Sequence, residues 1–162
     1  MPEAKPEPSP EELEEQQKRW EGRELTAMTL NLAGAWLPTR EATLVATVSS
    51  PAPDVYLAVE AVLKRLGRHH DIYVYPENDA NTGRGALQGM FGSGWANMNF
   101  TLVMVEVWPH GSTRADLRIR GAAKEGLLNQ RSSEKAVRRV RDALAKKLPG
   151  VEIPGEPIAG DA

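Results

Sequence analysis

The sequence predicts an α+β fold, a two-layer sandwich in which two amphipathic helices pack on one face of an antiparallel sheet. Two observations support this prediction. Apolar residues recur at helical spacing in two segments, and the segments around them alternate apolar with polar residues or are rich in β-branched residues. The predicted core order is β-α-β-β-β-α, with one extra N-terminal strand as an option.

Composition divides the chain of 162 residues into three parts. Residues 1–24 form an acidic arm rich in Pro and Glu, with eight acidic and four basic residues, and Ser9-Pro10 predicts the start of an exposed helix within it. Residues 25–148 are expected to form a single folded domain. Residues 149–162 have the composition of a disordered tail.

The first half of the domain contains the most secure local prediction, a helix over 51–66. Prolines and Asp54 mark its entry, apolar residues follow at helical spacing, and Gly67 marks its end. Before it, alternating apolar residues predict the optional strand over 26–32, and the β-branched residues of 42–49 predict a second strand.

The second half contains three further predicted strands and the second helix. Residues 71–75 predict a short strand, whereas the Gly-rich segment 81–97 predicts a long loop or a loosely ordered hairpin. Residues 101–108 and 113–121 predict an antiparallel hairpin around a tight turn. The final helix is expected from Ser132 or Ser133 to Leu148.

The strand over 101–108 is apolar on both faces. Leu102 and Met104 are expected under the helices, so Val103, Val105 and Val107 should occupy the second face. Antiparallel sheets normally leave one face wet, and this second face therefore needs a cover. The candidates are the N-terminal segment through Trp36, the Gly-rich segment and another subunit.

The sequence offers little for catalysis or metal binding. It contains no cysteine and three histidines, and no histidine lies near a plausible nucleophile. The acidic loop that begins at Glu77 lacks the glycine and glutamate positions of a calcium loop, and residues 83–89 are one residue out from the dinucleotide fingerprint. We therefore predict no metal, no cofactor and no enzymatic activity.

Glu106 is the one acidic residue within an apolar strand. We expect it near the strand end, in contact with water or with an arginine of the neighbouring strand. The alternative is a buried proton donor in a small-ligand or enzymatic site between the sheet and the helices.

The last third of the chain is basic, with eleven basic and four acidic residues over 110–148. Arginine suits phosphate contacts because its planar donors bind bidentately. One hypothesis is therefore an anionic partner, nucleic acid or anionic lipid, that binds Arg118, Arg120, Arg138, Arg139 and Arg141. The segment contains no aromatic residue for base stacking.

The leading hypothesis is a non-catalytic interaction or assembly domain that holds a protein partner or a second copy. Apolar residues in the Gly-rich segment and on the second sheet face supply its contacts. These predicted partner-binding residues are Leu87, Met90, Phe91, Trp95, Val103, Val105 and Val107.

Three segments, Pro51 to Leu66, Ser112 to Arg120 and Ser133 to Leu148, resemble small bacterial α+β domains of unknown function that occur in envelope lipoproteins. The resemblance implies an accessory or structural role without known catalytic residues. This chain departs from it in having no lipobox cysteine and no signal sequence. If Met1 is the natural start we expect a soluble cytoplasmic protein, and if the chain is a trimmed mature form we expect an envelope location.

Overall fold

The computed structural model describes residues 39–67, 72–93, 99–124 and 131–161. Its elements are β1 (Thr39–Val48), α1 (Ala52–Leu66), β2 (Ile72–Val74), β3 (Gly85–Ser93), β4 (Asn99–His110), β5 (Arg114–Lys124), α2 (Ser132–Lys147) and β6 (Ile158–Asp161). They confirm the predicted α+β class. The predicted arm helix and the optional strand over 26–32 lie outside the described residues. No helix within the described ranges is long and apolar enough to cross a membrane.

The described strands form one antiparallel sheet in the order β2-β3-β4-β5-β1-β6. The predicted hairpin is confirmed, with Glu106 of β4 opposite Arg118 of β5. Its turn contains Gly111 at a φ of 67°, a conformation that favours glycine. β5 also pairs with β1. Along the chain, α1 connects β1 to β2, and α2 connects β5 to the segment that ends in β6.

Both helices pack on one face of the sheet and form the main core there. Val59 and Leu63 of α1 and Val137 and Leu144 of α2 are fully buried. α2 packs closely on β5 at Gly121, where an added Cβ atom would lie only 2.8 Å from the Ser133 carbonyl oxygen. The core beneath the helices contains Leu44, Leu87, Phe91, Val103, Val105, Val107, Leu117 and Ile119.

The turn between β2 and β3 is held by side-chain amides and carboxylates. Asn78 Nδ2 donates to the Ala86 carbonyl oxygen at 2.6 Å, and Asn78 Oδ1 accepts from the Ala86 backbone N–H at 2.9 Å. Asp79 Oδ1 accepts from the Asn81 backbone N–H at 3.0 Å. The Asn78 side chain thus forms with Ala86 the two hydrogen bonds that the backbone of a neighbouring strand would otherwise form.

Of the two predictions for 81–97, the long loop is wrong for residues 85–93, which form β3, whereas the hairpin alternative agrees with the antiparallel pairing of β3 with β4. Leu87 and Phe91 face the helices and Gln88 faces away, so the strand alternates as a half-buried strand should. Gly89 hides this pattern in the sequence. A Cβ atom there would lie 3.5 Å from Phe91 and 3.6 Å from Leu63, in ordinary van der Waals contact, so this position also faces the helices.

The two faces of β4 are reversed relative to the prediction. Val103, Val105 and Val107 lie beneath the helices, and Leu102 and Met104 lie on the opposite face. The alternation of β4 alone could not distinguish the faces, because both are apolar. We call the face opposite the helices the outer face; its buried residues are Ala86, Gln88, Leu102, Met104, Glu106, Trp108 and Ala122.

The predicted disordered tail is replaced by an ordered segment in the structure. Ile153 is buried in the main core, and β6 pairs with β1 between Arg40 and Thr43. The buried Ile153 side chain and the backbone hydrogen bonds to the edge of β1 hold this segment in place, although it contains few apolar residues.

Candidate functional site

The two helices border a groove of about 480 Å³ that is open to solvent. The end of α1 forms one wall and α2 forms the other. We call it the basic groove, because five of its eight lining residues are cationic and one is anionic. Its residues are Arg65, Leu66, Lys135, Arg138, Arg139, Asp142, Ala143 and Lys146.

The charge of the groove follows from the periodicity of α2. Its buried residues recur every three or four positions, including Val137, Val140 and Leu144. The positions between them must face solvent, and the sequence fills these positions mainly with Lys and Arg. From Lys135 to Lys146 the cations extend for roughly 16 Å along the helix.

The C-terminal segment neutralises part of this surface. Arg138 Nε donates to Glu156 at 2.8 Å, and Arg141 Nη1 donates to Glu156 at 3.1 Å and to the Gly155 carbonyl oxygen at 2.7 Å. The hydrogen bond from Arg138 lowers the pKa of the Glu156 carboxyl, and Arg141 adds to this effect. Arg138 and Arg141 are therefore held by a carboxylate at neutral pH.

Four cations of the groove remain available. Among the described residues, no carboxylate forms an ion pair with Arg65, Lys135, Arg139 or Lys146. Lys135, Arg139 and Lys146 are exposed on α2, and Arg65 lies in the last turn of α1. An anion in the groove would meet these side chains first.

A second polar cluster lies on the outer face, away from the helices. Glu106 is fully buried and accepts a hydrogen bond from Arg118 Nε, which confirms the expected neighbouring-strand arginine. The expected position near the strand end is wrong, because β4 continues for four residues beyond Glu106. The Arg118 guanidinium lies 5.6 Å from the centre of the Trp108 ring. Glu106 Oε1, Arg118 Nη2 and Arg120 Nη1 are buried and have no hydrogen-bond partner among the described residues. Glu106 thus does not line a space between the sheet and the helices.

The structure separates the arginines that the sequence grouped into one surface. Arg118 and Arg120 lie on the outer face, while Arg138, Arg139 and Arg141 belong to α2, which packs on the opposite face. The sheet lies between the two sets, so one ligand cannot contact both directly.

The structure also contradicts most of the predicted apolar partner contacts. The side chains of Leu87, Phe91, Val103, Val105 and Val107 are core residues beneath the helices and have no surface to offer. Met90 lies half-buried beside the apolar cluster on the outer face. Trp95 lies outside the described residues.

The sequence did not single out Arg65, Lys135 or Lys146 as site residues. The signal for the two lysines was present, since both follow the helical spacing of Arg139. Arg65 could not be assigned to the same site, because only the packing of α1 beside α2 brings it to the groove.

No family model matches this chain, and no curated protein matches it. Among solved structures, protein CV1439 from Chromobacterium violaceum is 14% identical, with a TM-score of 0.36 over 65% of this chain and 94% of that chain. A point mutant of norcoclaurine synthase from Thalictrum flavum is 10% identical, with a TM-score of 0.35 over 68% and 94%. The ZhuI aromatase/cyclase from Streptomyces sp. R1128 is 11% identical, with a TM-score of 0.30 over 67% and 86%.

The prediction that this chain is not an enzyme is contradicted by the last two matches, which are enzymes of similar fold. A shared fold does not bring a shared site, and at these TM-scores neither protein transfers a reaction, a substrate or a residue to this chain.

Proposed function

We propose that this protein binds the phosphate backbone of a nucleic acid through the basic groove, without reading base sequence. The observation that supports the proposal most is the set of four cations without an ion pair to a described carboxylate, all lining one groove. Lys and Arg are the usual phosphate contacts of nucleic-acid-binding proteins.

A phosphate chain fits the groove better than a single anion does. The cations form a row of roughly 16 Å along α2, which suits several phosphates in succession. The segment 110–148 contains no aromatic residue on which a base could stack, so the contacts favour backbone binding alone. A lipid surface is less suitable, because the lining is concave and Leu66 is its one large apolar residue.

The expected binding is weak and depends strongly on salt. Each neutralised phosphate contributes a slope of about 0.7 for single strands and about 0.9 for duplexes in log K against log salt. Four contacts therefore predict a slope of roughly 3 to 4. Measurements of anisotropy with a labelled oligonucleotide of mixed sequence, at salt concentrations from about 50 to 200 mM, test this value.

A matched pair of double variants tests the location. Lys135→Gln with Arg139→Gln should lower the salt slope by about 2, because each phosphate contact accounts for about 1. Lys64→Gln with Arg114→Gln removes the same charge from exposed positions outside the groove and should leave the slope nearly unchanged. Equal losses for both double variants would overturn the proposal.

Two further outcomes also contradict it. One is the absence of oligonucleotide binding at protein concentrations of about 100 μM, the weak limit of non-specific DNA binding. The other outcome is that the protein binds anionic lipid vesicles but not the oligonucleotide, and that the Lys135→Gln with Arg139→Gln variant no longer binds the vesicles. That result would assign the groove to a membrane surface instead.

A further inference from the structure

The segment between α2 and β6 places an anion against α2. Glu156 accepts hydrogen bonds from Arg138 Nε at 2.8 Å and from Arg141 Nη1 at 3.1 Å, and the two bonds use different oxygens of the carboxylate. Arg141 Nη1 also donates to the Gly155 carbonyl oxygen at 2.7 Å. One carboxylate thus bridges two arginines, and a phosphate can form the same bridge with two of its oxygens.

Glu156 is held in this position from both sides along the chain. Three residues before it, Ile153 is buried in the main core, and two residues after it, β6 begins to pair with β1. Because these flanking residues are fixed, the carboxylate loses little further freedom when it meets the arginines. It therefore competes with a dissolved anion at a high effective concentration.

The arginines that Glu156 bridges adjoin the row of available cations. Arg138 lines the basic groove and lies one helical turn from Lys135, and Arg141 lies one turn further along α2. A nucleic acid strand that follows the row would therefore bring a phosphate beside Arg138. The Glu156 side chain is 66% exposed, so a competing phosphate can reach this position from solvent.

We infer that Glu156 occupies a further phosphate subsite of the basic groove, formed by Arg138 and Arg141, and thereby limits how tightly the groove binds its ligand. The inference rests on the proposed function, because it concerns the same groove and the same ligand. While Glu156 is bound, Arg138 contributes little to holding a phosphate, and the carboxylate repels phosphates nearby. Removal of this internal competitor adds a cation to the four that are available.

Two other carboxylates near these arginines limit the expected gain. Glu134 lies 3.7 Å from Arg138 Nη2, beyond hydrogen-bonding distance, and Asp142 Oδ1 accepts a hydrogen bond from Arg141 Nε at 3.0 Å. Both belong to α2 and remain when Glu156 is replaced. A guanidinium has five N–H donors, so each arginine keeps donors for a phosphate. Because Asp142 stays bonded to Arg141, we expect one additional phosphate contact, at Arg138, rather than two.

The alternative role of Glu156 is to fasten the segment to α2. The segment has two other attachments, the buried Ile153 side chain and the pairing of β6 with β1, so the fold does not depend on the Glu156 contacts alone. A purely structural Glu156 would affect stability when it is replaced, and its removal would leave the number of phosphate contacts unchanged.

A double-mutant cycle in the full chain distinguishes these roles. The probe is the labelled oligonucleotide of mixed sequence, titrated at salt concentrations from about 50 to 200 mM. Glu156→Gln should raise the slope of log K against log salt by about 1, the contribution of one phosphate contact. Glu152→Gln removes the same charge from an exposed position of the same segment that forms no ion pair with a described cation, and it should leave the slope nearly unchanged.

The cycle compares Arg138→Gln in two backgrounds. In the parent, where Arg138 is bound to Glu156, this substitution should change the slope little. In the Glu156→Gln background it should lower the slope by about 1, because Arg138 then holds a phosphate. Equal losses in both backgrounds would overturn the inference, since Glu156 would then not control access to Arg138. Equal slopes for Glu156→Gln and Glu152→Gln would overturn it as well.

Failure of the proposed function gives a different result. If neither the parent nor Glu156→Gln binds the oligonucleotide, both proposals are wrong. If the parent binds with a slope of roughly 3 to 4 but the cycle is additive, the groove with four cations stands and only the subsite is refuted. Urea unfolding checks the variants, and Glu156→Gln should unfold near the midpoint of the parent. A large fall in that midpoint with an unchanged slope would assign Glu156 a structural role and contradict the inference.

Discussion

The buried pair of Glu106 and Arg118 provides a quantitative prediction. Glu106 is 0% exposed and Arg118 is 13% exposed at the side chain, so both charges have lost most of their water. Arg118→Met removes the cation that is paired with the buried Glu106 carboxylate. It also removes the guanidinium from the face of Trp108.

The expected loss in the free energy of unfolding is about 3 to 5 kcal/mol, which is typical when one partner of a buried ion pair is removed. Glu106→Leu should cost less, about 1 to 3 kcal/mol, because the partly exposed arginine can turn toward water. The double variant should lie within about 1 kcal/mol of the parent, since replacing both charges removes the desolvation penalty together with the attraction.

Urea unfolding followed by far-UV circular dichroism measures these values, and constant m-values check that only stability has changed. Arg114→Met, at an exposed position on the same strand, is the control and should cost less than about 0.5 kcal/mol. The reasoning fails if Arg118→Met costs no more than this control. It also fails if the double variant loses the sum of the two single losses, because the side chains would then be uncoupled.

Three other substitutions test the turn and the groove. Gly83→Ala should cost at least about 2 kcal/mol in urea unfolding, because Gly83 has a φ of 75° and a Cβ atom would lie 2.1 Å from the Ala52 carbonyl carbon; a neutral result would contradict this geometry. Asn78→Ala should lose about 1 to 3 kcal/mol with its bonds to a buried strand, whereas Asn81→Ala, at an exposed position, should stay within about 0.5. Glu156→Gln should strengthen oligonucleotide binding by removing one negative charge beside Arg138 and Arg141, which keep Glu134 and Asp142 as ion-pair partners. Because those arginines lower the pKa of Glu156, its ion pairs hold at neutral pH and are lost only as the pH falls through that lowered value. Binding by the parent should therefore rise below the usual carboxyl range, and an equal rise in Glu156→Gln would exclude Glu156 as the cause.

Most helices and strands could be predicted because the spacing of their apolar residues fits only one type of secondary structure. In α2, Val137, Val140 and Leu144 recur at helical spacing, and the structure buries all three. The same periodicity predicts the row of cations between them. The partner of that row could not be predicted, since Glu156 reaches Arg138 from a segment that contains few apolar residues.

The reversed faces of β4 show where single-strand patterns fail and where pairing would have helped. Leu117 and Ile119 are the apolar side of β5, and arginines occupy its other side. In the hairpin, Val107 is opposite Leu117 and Val105 is opposite Ile119, so the valines must share the core face. The alternation of apolar residues in β5 is clear, and the pairing of β5 with β4 then shows which face of β4 lies in the core.

The sheet gives the two sets of arginines different physical roles. Arg118 is committed to a buried carboxylate and contributes to stability, whereas Arg139 is solvated and free of any described carboxylate. Because the faces lie on opposite sides of a packed layer and share no partner, their energetic effects should add. The Glu106→Leu with Arg118→Met double variant should therefore leave the salt slope of oligonucleotide binding unchanged, and the Lys135→Gln with Arg139→Gln double variant should leave the free energy of unfolding within about 0.5 kcal/mol of the parent. A change in either direction would show that the two surfaces are energetically coupled.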